Sequence, residues 1–262
     1  MRWSVTVIPG EDEFTYRLCR ELPSCKIKRN VAILTPDGNA EIDCLVLHHN
    51  KLFAIEVKRW KGYLIERDDG FLQEKTDRWT GETHTKLLKS PFKQLGRAIY
   101  LLRKQIPIKA WVNAVVFFED DELESVSAFS DNVWFDRYQD LVDYISNDGK
   151  VSFGTSANDF FERCVPADYL YVNAWGKSLH CIINRTTLRF KTPQVDISAD
   201  NIDSIRISHH WSYDELHITM ADGSIKTITL ENAKIQVSDN GRISTYALCK
   251  LDYIELGRTL NR

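Results

Sequence analysis

Asp43, Glu56 and Lys58 are the residues of this chain whose types and spacing fit hydrolytic chemistry. Asp43 follows Ile42 in one apolar run, and Glu56-Val57-Lys58 closes a second; a short polar stretch, His49-Asn50-Lys51, lies between them. Both runs read as β-strands, over residues 41–48 and 51–59. Carboxylates inside apolar strands are costly to bury unless they are paired or bind something. Two of them side by side repel, and a divalent cation is the usual remedy. Together they make a hard oxygen site suited to Mg²⁺ or Mn²⁺. Such an ion activates water and offsets charge on a phosphorane-like transition state. A neighbouring lysine can orient the attacking water or neutralise phosphate. The simpler alternative for so short a pattern is a structural ion pair on a hairpin surface.

Strand side chains alternate between faces, so Glu56 and Lys58 share one. A two-residue turn at His49-Asn50 sets Asp43 opposite Glu56; a turn at Asn50-Lys51 sets it opposite Lys58. Either register puts all three on one face. A three-residue loop would move Asp43 to the other face unless a bulge compensated. The opposite face, with Ile42, Cys44, Val46, Phe53, Ile55 and Val57, reads as core.

A basic segment accompanies these strands. From residue 83 to 118 there is no Asp or Glu, while Lys86, Lys89, Lys93 and Arg97 are spaced by three, four and four. On a helix that spacing makes one face, so these four are candidate nucleic-acid contacts. An acidic run, Glu119-Asp120-Asp121-Glu122, follows and could instead balance them.

In order along the chain, several segments resemble the nuclease-related domain family (NERD), a branch of the PD-(D/E)xK restriction-endonuclease-like superfamily. Gly10-Glu11, with Phe14 and Leu18 behind it, is similar to the family's opening helix. Glu41-Ile42-Asp43-Cys44-Leu45-Val46-Leu47 resembles its QIDhivv strand, except that Cys44 stands where the family often has histidine. Phe53-Ala54-Ile55-Glu56-Val57-Lys58-Arg59-Trp60, then Gly62, resembles its second strand. Pro91-Phe92-Lys93-Gln94 resembles its later helix start. The likeness covers residues 9–102. It implies an α/β domain over 1–165, with a restriction-endonuclease-like mixed sheet flanked by helices. It further implies Mg²⁺- or Mn²⁺-dependent hydrolysis of DNA. Asp43, Glu56, the Val57 carbonyl and Glu11 would ligate the metal, Lys58 would address water or phosphate, and Gln94 would line the site.

The elements that must position these residues read as follows. A helix with Phe14 and Leu18 opens the segment, and an edge-like strand follows at 27–34. A hairpin is expected within 63–85 around Asp68-Asp69-Gly70. A helix over 91–105 leads into 110–118, an apolar run typical of a strand buried on both faces. Further on, Tyr138, Leu141, Val142 and Ile145 have helical spacing, and Ser156 or Asn158 suits a helix cap. From about residue 168 short apolar runs alternate with turns, with Ala221-Asp222-Gly223 a strong hairpin signal. Residues 166–262 thus read as an all-β barrel or roll. It carries aromatic turn clusters at Trp175-Gly176 and His209-His210-Trp211, and it is a candidate surface for a homodimer or a protein partner.

The formal charge of −3 and ordinary composition describe a soluble globular chain. No apolar run reaches the length of a membrane span. Six cysteines without CxxC spacing read as reduced thiols, which suits the cytoplasm. Two other functions compete with DNA hydrolysis: an RNA-directed nuclease, and a non-catalytic binding module on the same fold.

Overall fold

The computed structural model describes residues 11–22, 24–77, 79–172, 177–181, 189–191, 196–198, 202–220, 223–239, 242–256 and 259–261. The chain divides into two compact units, residues 1–164 with 259–262, and residues 165–258.

The first unit holds α1 (Glu11–Glu21), β1 (Lys26–Thr35), β2 (Gly38–His48), β3 (Lys51–Lys58), β4 (Gly62–Arg67), β5 (Gly70–Thr76), β6 (Thr83–Lys89), α2 (Pro91–Gln105), β7 (Val112–Phe118), β8 (Leu123–Ser127), β9 (Trp134–Phe135), α3 (Tyr138–Asn147) and α4 (Ser156–Arg163). Its main sheet runs β1-β2-β3-β7-β9, antiparallel across the first three strands and parallel from β3 through β7 to β9. The edge-like strand β1 gains a further partner, as Lys26–Lys28 pair with Thr259–Asn261. A second sheet, β6-β5-β4-β8, contains the expected hairpin, β4-β5, and two strands more.

The main sheet is buried on both faces. Leu45, Leu47, Leu52, Ala54, Val116 and Phe118 pack with Leu95, Leu102 and Phe160, from α2 and α4. On the other face Cys44, Val46, Phe53, Ile55, Val57 and Phe117 pack with Phe14, Leu18, Leu141 and Ile145, from α1 and α3. A strand as apolar as β7, in which Asn113 is the one polar residue, follows from this double covering. The expected single core face of the hairpin is therefore corrected: both faces are core, and Ile42 packs with the α2 side while Cys44 and Val46 pack with the α1 side. Strict alternation would keep those three together. The break falls at Asp43. Beside it, between the Arg29–Cys44 and Val31–Ile42 pairs, Asn30 of β1 has φ 51, a left-handed conformation that re-aims the neighbouring side chains.

Two lysines from the sheet satisfy helix ends. Lys28 is 4 % exposed, and its Nζ donates to the carbonyls of Phe161 (2.6 Å), Glu162 (3.2 Å) and Cys164 (2.8 Å) at the end of α4. Burial holds this ammonium below the usual lysine range, while Cys164 and Glu162 oppose that shift. Lys51 Nζ donates to Ser146 O at 3.3 Å and Asp148 O at 2.6 Å at the end of α3. Terminal carbonyls without intrahelical partners accept such cations well.

Among its described residues the second unit has strands and one 3₁₀ turn, Leu248–Lys250. A six-stranded sheet runs in the order Lys177–Cys181, Asp168–Val172, Leu251–Glu255, Ile202–His209, Asp214–Met220, Ile225–Leu230. A four-stranded one runs Asp196–Ser198, Arg189–Lys191, Lys234–Asp239, Arg242–Ala247. Neither closes on itself among the described residues, so no closed barrel is found. Asp214–Met220 and Ile225–Leu230 pair as the expected hairpin; Ala221 and Asp222 of its turn lie outside the described residues, as does Trp175-Gly176.

Candidate active site

The turn between β2 and β3 is His49-Asn50, both with positive φ (44 and 62), as a type I′ hairpin turn requires. This is the first of the two registers considered from sequence, and His48 pairs with Lys51. The ladder then runs to Cys44–Ile55 and stops. Beyond it β2 stays paired with β1 as far as Gly38, and β3 stays paired with β7 as far as Lys58. The two strands therefore part at Asp43 and Glu56.

At that point a side chain takes over from the backbone. Asp43 Oδ2 accepts the Val57 N–H at 2.8 Å, in place of the next strand-to-strand hydrogen bond. Burial pushes the Asp43 carboxyl up to about 6, against the Val57 N–H and the Lys58 charge, which lower it; Glu41 adds to the rise. Glu56 is fully buried, and Lys58 Nζ donates to its Oε1 as an ion pair. The shared face of residues two apart in a strand makes this contact possible.

The other candidate residues are arranged less simply. Glu11 begins α1, and its side chain lies outside the described residues. Among the described residues, no three His, Cys, Asp or Glu side chains gather where they could share a metal ion. Gln94 is exposed in the first turn of α2, and its N–H donates to Ser90 O at 3.1 Å. At the start of α2 Phe92 lies against Phe71, which in turn touches Phe118, the strand partner of Lys58. The first turn of α2 thus lies at the Glu56–Lys58 end of the sheet.

The four-residue basic helix face is not formed. Ser90 caps α2, with its Oγ accepting the Lys93 N–H at 3.3 Å, and Pro91 opens it. Lys86 and Lys89 precede this cap in β6, where residues three apart point to opposite sides. Only Lys93 and Arg97 share a helix face. Lys93 Nζ donates to Asp68 O at 2.5 Å and Arg97 Nη2 to Asp37 O at 3.3 Å. The acidic run after β7 does not balance these four residues in the way considered from sequence. Its Glu119 and Glu122 pair with Arg59 (3.3 Å) and Lys61 (2.8 Å).

Sequence pattern misses Asn30, whose positive φ hides inside an apparently regular strand. The available signal is residue type alone, since asparagine tolerates this conformation better than most. The motif glycine Gly62 has a clearer reason. It has φ +77, and a Cβ there would lie 2.2 Å from Glu74 O, where the chain enters the second sheet.

A mixed sheet whose central hairpin parts at one fully buried and one part-buried carboxylate, with a lysine on the buried one, is the arrangement this domain presents. The model for the nuclease-related domain family, NERD, matches residues 8–119, the segment that holds this hairpin. No curated protein and no solved structure matches the chain.

Proposed function

We propose that this protein is a divalent-metal-dependent nuclease that hydrolyses DNA phosphodiester bonds on a restriction-endonuclease-like fold. The observation that carries the reading is the parting of β2 and β3 at Asp43 and Glu56, with Lys58 held on Glu56, inside a nuclease-related domain. Asp43, Glu56 and the Val57 carbonyl would hold Mg²⁺ or Mn²⁺, with Glu11 as a further ligand. These donors are all hard oxygens, as such ions require. Asp43 also carries a buried negative charge that its surroundings disfavour, and a cation offsets such a charge. When bound, the ion supplies Lewis-acid stabilisation and a more acidic water.

The chain's own groups do the rest. Lys58 orients the attacking water or meets a phosphate oxygen. Gln94 lines the site from the start of α2. Lys93 and Arg97 grip the nucleic-acid backbone from one face of α2, and Lys89 adjoins them just before its cap. The first turn of α2 contains no acidic residue, so its partial positive charge is available to an anion. Residues 165–258, read as a β roll, serve dimerisation or a protein partner.

Among the described residues no helix is long and apolar enough to cross a membrane. Cys19, Cys25, Cys164 and Cys249 are free thiols, which is compatible with the cytoplasm as the site of action. The deciding experiment is a panel of labelled single-stranded, duplex and branched DNA and RNA with Mg²⁺, Mn²⁺ or EDTA. Metal-dependent cutting of DNA that disappears in Glu56→Gln supports the reading. Cutting that survives Glu56→Gln, or that persists in EDTA, overturns it.

A further inference from the structure

A cleft of ≈ 960 Å³ is lined by the end of α2, residues 107–111 and residues 150–153. It lies at the far end of the main sheet from Glu56 and Lys58. Trp111 precedes Val112, which pairs with Leu52, whereas Glu56 pairs with Val116. At ~3.3 Å per residue the cleft and Glu56 are roughly 17 Å apart along the strands.

The walls are pinned. Trp111 N–H donates to Ser152 Oγ at 3.0 Å, Lys150 N–H to Asn113 Oδ1 at 2.8 Å, and Ser152 N–H to Asn50 O at 3.1 Å. Asn50 Nδ2 returns to Ser152 O at 2.8 Å and Gly154 O at 2.6 Å. Ser152 is buried, yet its neighbours Val151 and Phe153 point outward, Phe153 with 96 % of its surface exposed. A segment held this firmly displays its apolar side chains by construction rather than by looseness, and exposed apolar surface of that kind marks a binding face.

The charge on the cleft selects the occupant. Arg103, Lys109 and Lys150 line it, and no carboxylate does. Lys150 Nζ sits 4.1 Å from the centroid of the half-exposed Trp111 ring. Aromatic faces beside cations in an open groove bind single strands, since bases stack on the rings while phosphates meet the cations. We propose that this cleft is a second nucleic-acid site, which holds an unpaired strand by stacking on Trp111 and Phe153 and by phosphate contacts from Arg103, Lys109 and Lys150. The assignment concerns binding alone and stands apart from hydrolysis.

The test is fluorescence anisotropy of a labelled oligothymidylate on the full chain in EDTA. Phe153→Ala removes an exposed ring and leaves the core untouched; it is expected to weaken binding by about tenfold. The double change Lys109→Gln and Lys150→Gln is expected to flatten the slope of log affinity against log salt, by ~0.7 for each phosphate that is no longer neutralised. Affinity and slope unchanged in both variants overturn the assignment. So does self-association, or capture of an acidic peptide, that depends on Phe153 while oligonucleotide binding does not. Phe153-dependent binding in a protein that cuts no nucleic acid would sink the nuclease reading and leave the cleft standing. Metal-dependent cutting with Phe153-independent binding would do the reverse.

Discussion

Asp43 and Val57 are joined by a hydrogen bond from the Val57 N–H to Asp43 Oδ2, at 2.8 Å, where the strand ladder ends. A side-chain carboxylate thus finishes the pairing of β2 with β3, and that carboxylate is one of the two on which the proposed chemistry rests. The bond fixes its position before any ligand arrives. Preorganisation of this kind is what places reacting groups without reorganisation at the moment of reaction.

Loss of this arrangement is expected to cost activity rather than fold. Asp43→Asn, Glu56→Gln and Lys58→Met should each lower DNA cleavage by at least ~10²-fold, the scale on which single electrostatic groups act. Circular dichroism should show each variant folded. Gel assays at saturating Mg²⁺ and Mn²⁺ provide the check.

The raised Asp43 carboxyl has a definite sign in a stability profile. Its folded value is about 6, above the ordinary value of roughly 4. Between these pH values the folded state holds the proton more tightly than the unfolded chain does. Stability of the metal-free protein therefore falls as pH rises through this window, by on the order of 3 kcal/mol in all. Above about pH 6 the penalty is complete. Thermal unfolding in EDTA from pH 4 to 7.5 should show a contribution that Asp43→Asn removes. A wild-type minus Asp43→Asn difference independent of pH would contradict it.

The lysines that close helix ends should matter to stability alone. Lys28→Met keeps much of the side-chain volume but strands three carbonyls at the end of α4. A loss of about 1–3 kcal/mol is expected, the cost of buried polar groups left unsatisfied. Lys51→Met, which strands two carbonyls at the end of α3, should cost less. Urea denaturation measures both.

Neutralising Lys89, Lys93 and Arg97 together should weaken nucleic-acid binding and flatten its salt dependence. For duplex DNA the slope should drop by about one for each phosphate left without its cation. Binding isotherms from low to moderate salt give the slope, and an unchanged value would remove these residues from the interface.

The shared face of Glu56 and Lys58 follows from period-two alternation, and the structure picks His49-Asn50 from the two turn positions that the sequence left open. Such local rules carry well from sequence to structure. The same spacing logic failed at Lys86 and Lys89, because three- and four-residue intervals continue smoothly into Lys93 and Arg97. The Ser90-Pro91 pair marks the true boundary, a cap followed by a first-turn proline, and it outranks charge spacing. Lys28 and the carbonyls of α4 are brought together from distant parts of the chain, and no local pattern announces such a contact. The face switch at Ile42 depends on a backbone angle in the neighbouring strand, which residue types alone hardly constrain.

The pairing of Lys26–Lys28 with Thr259–Asn261 has a consequence for biosynthesis. The ribosome delivers β1 long before its partner, because most of the chain lies between them. Domains tend to fold as they emerge, but this sheet must wait for its outermost strand. In the interval, that stretch of β1 presents unpaired backbone groups on a nascent chain, the kind of edge that recruits other strands. Completion of the sheet that carries Asp43 and Glu56 thereby waits on a segment far along the chain.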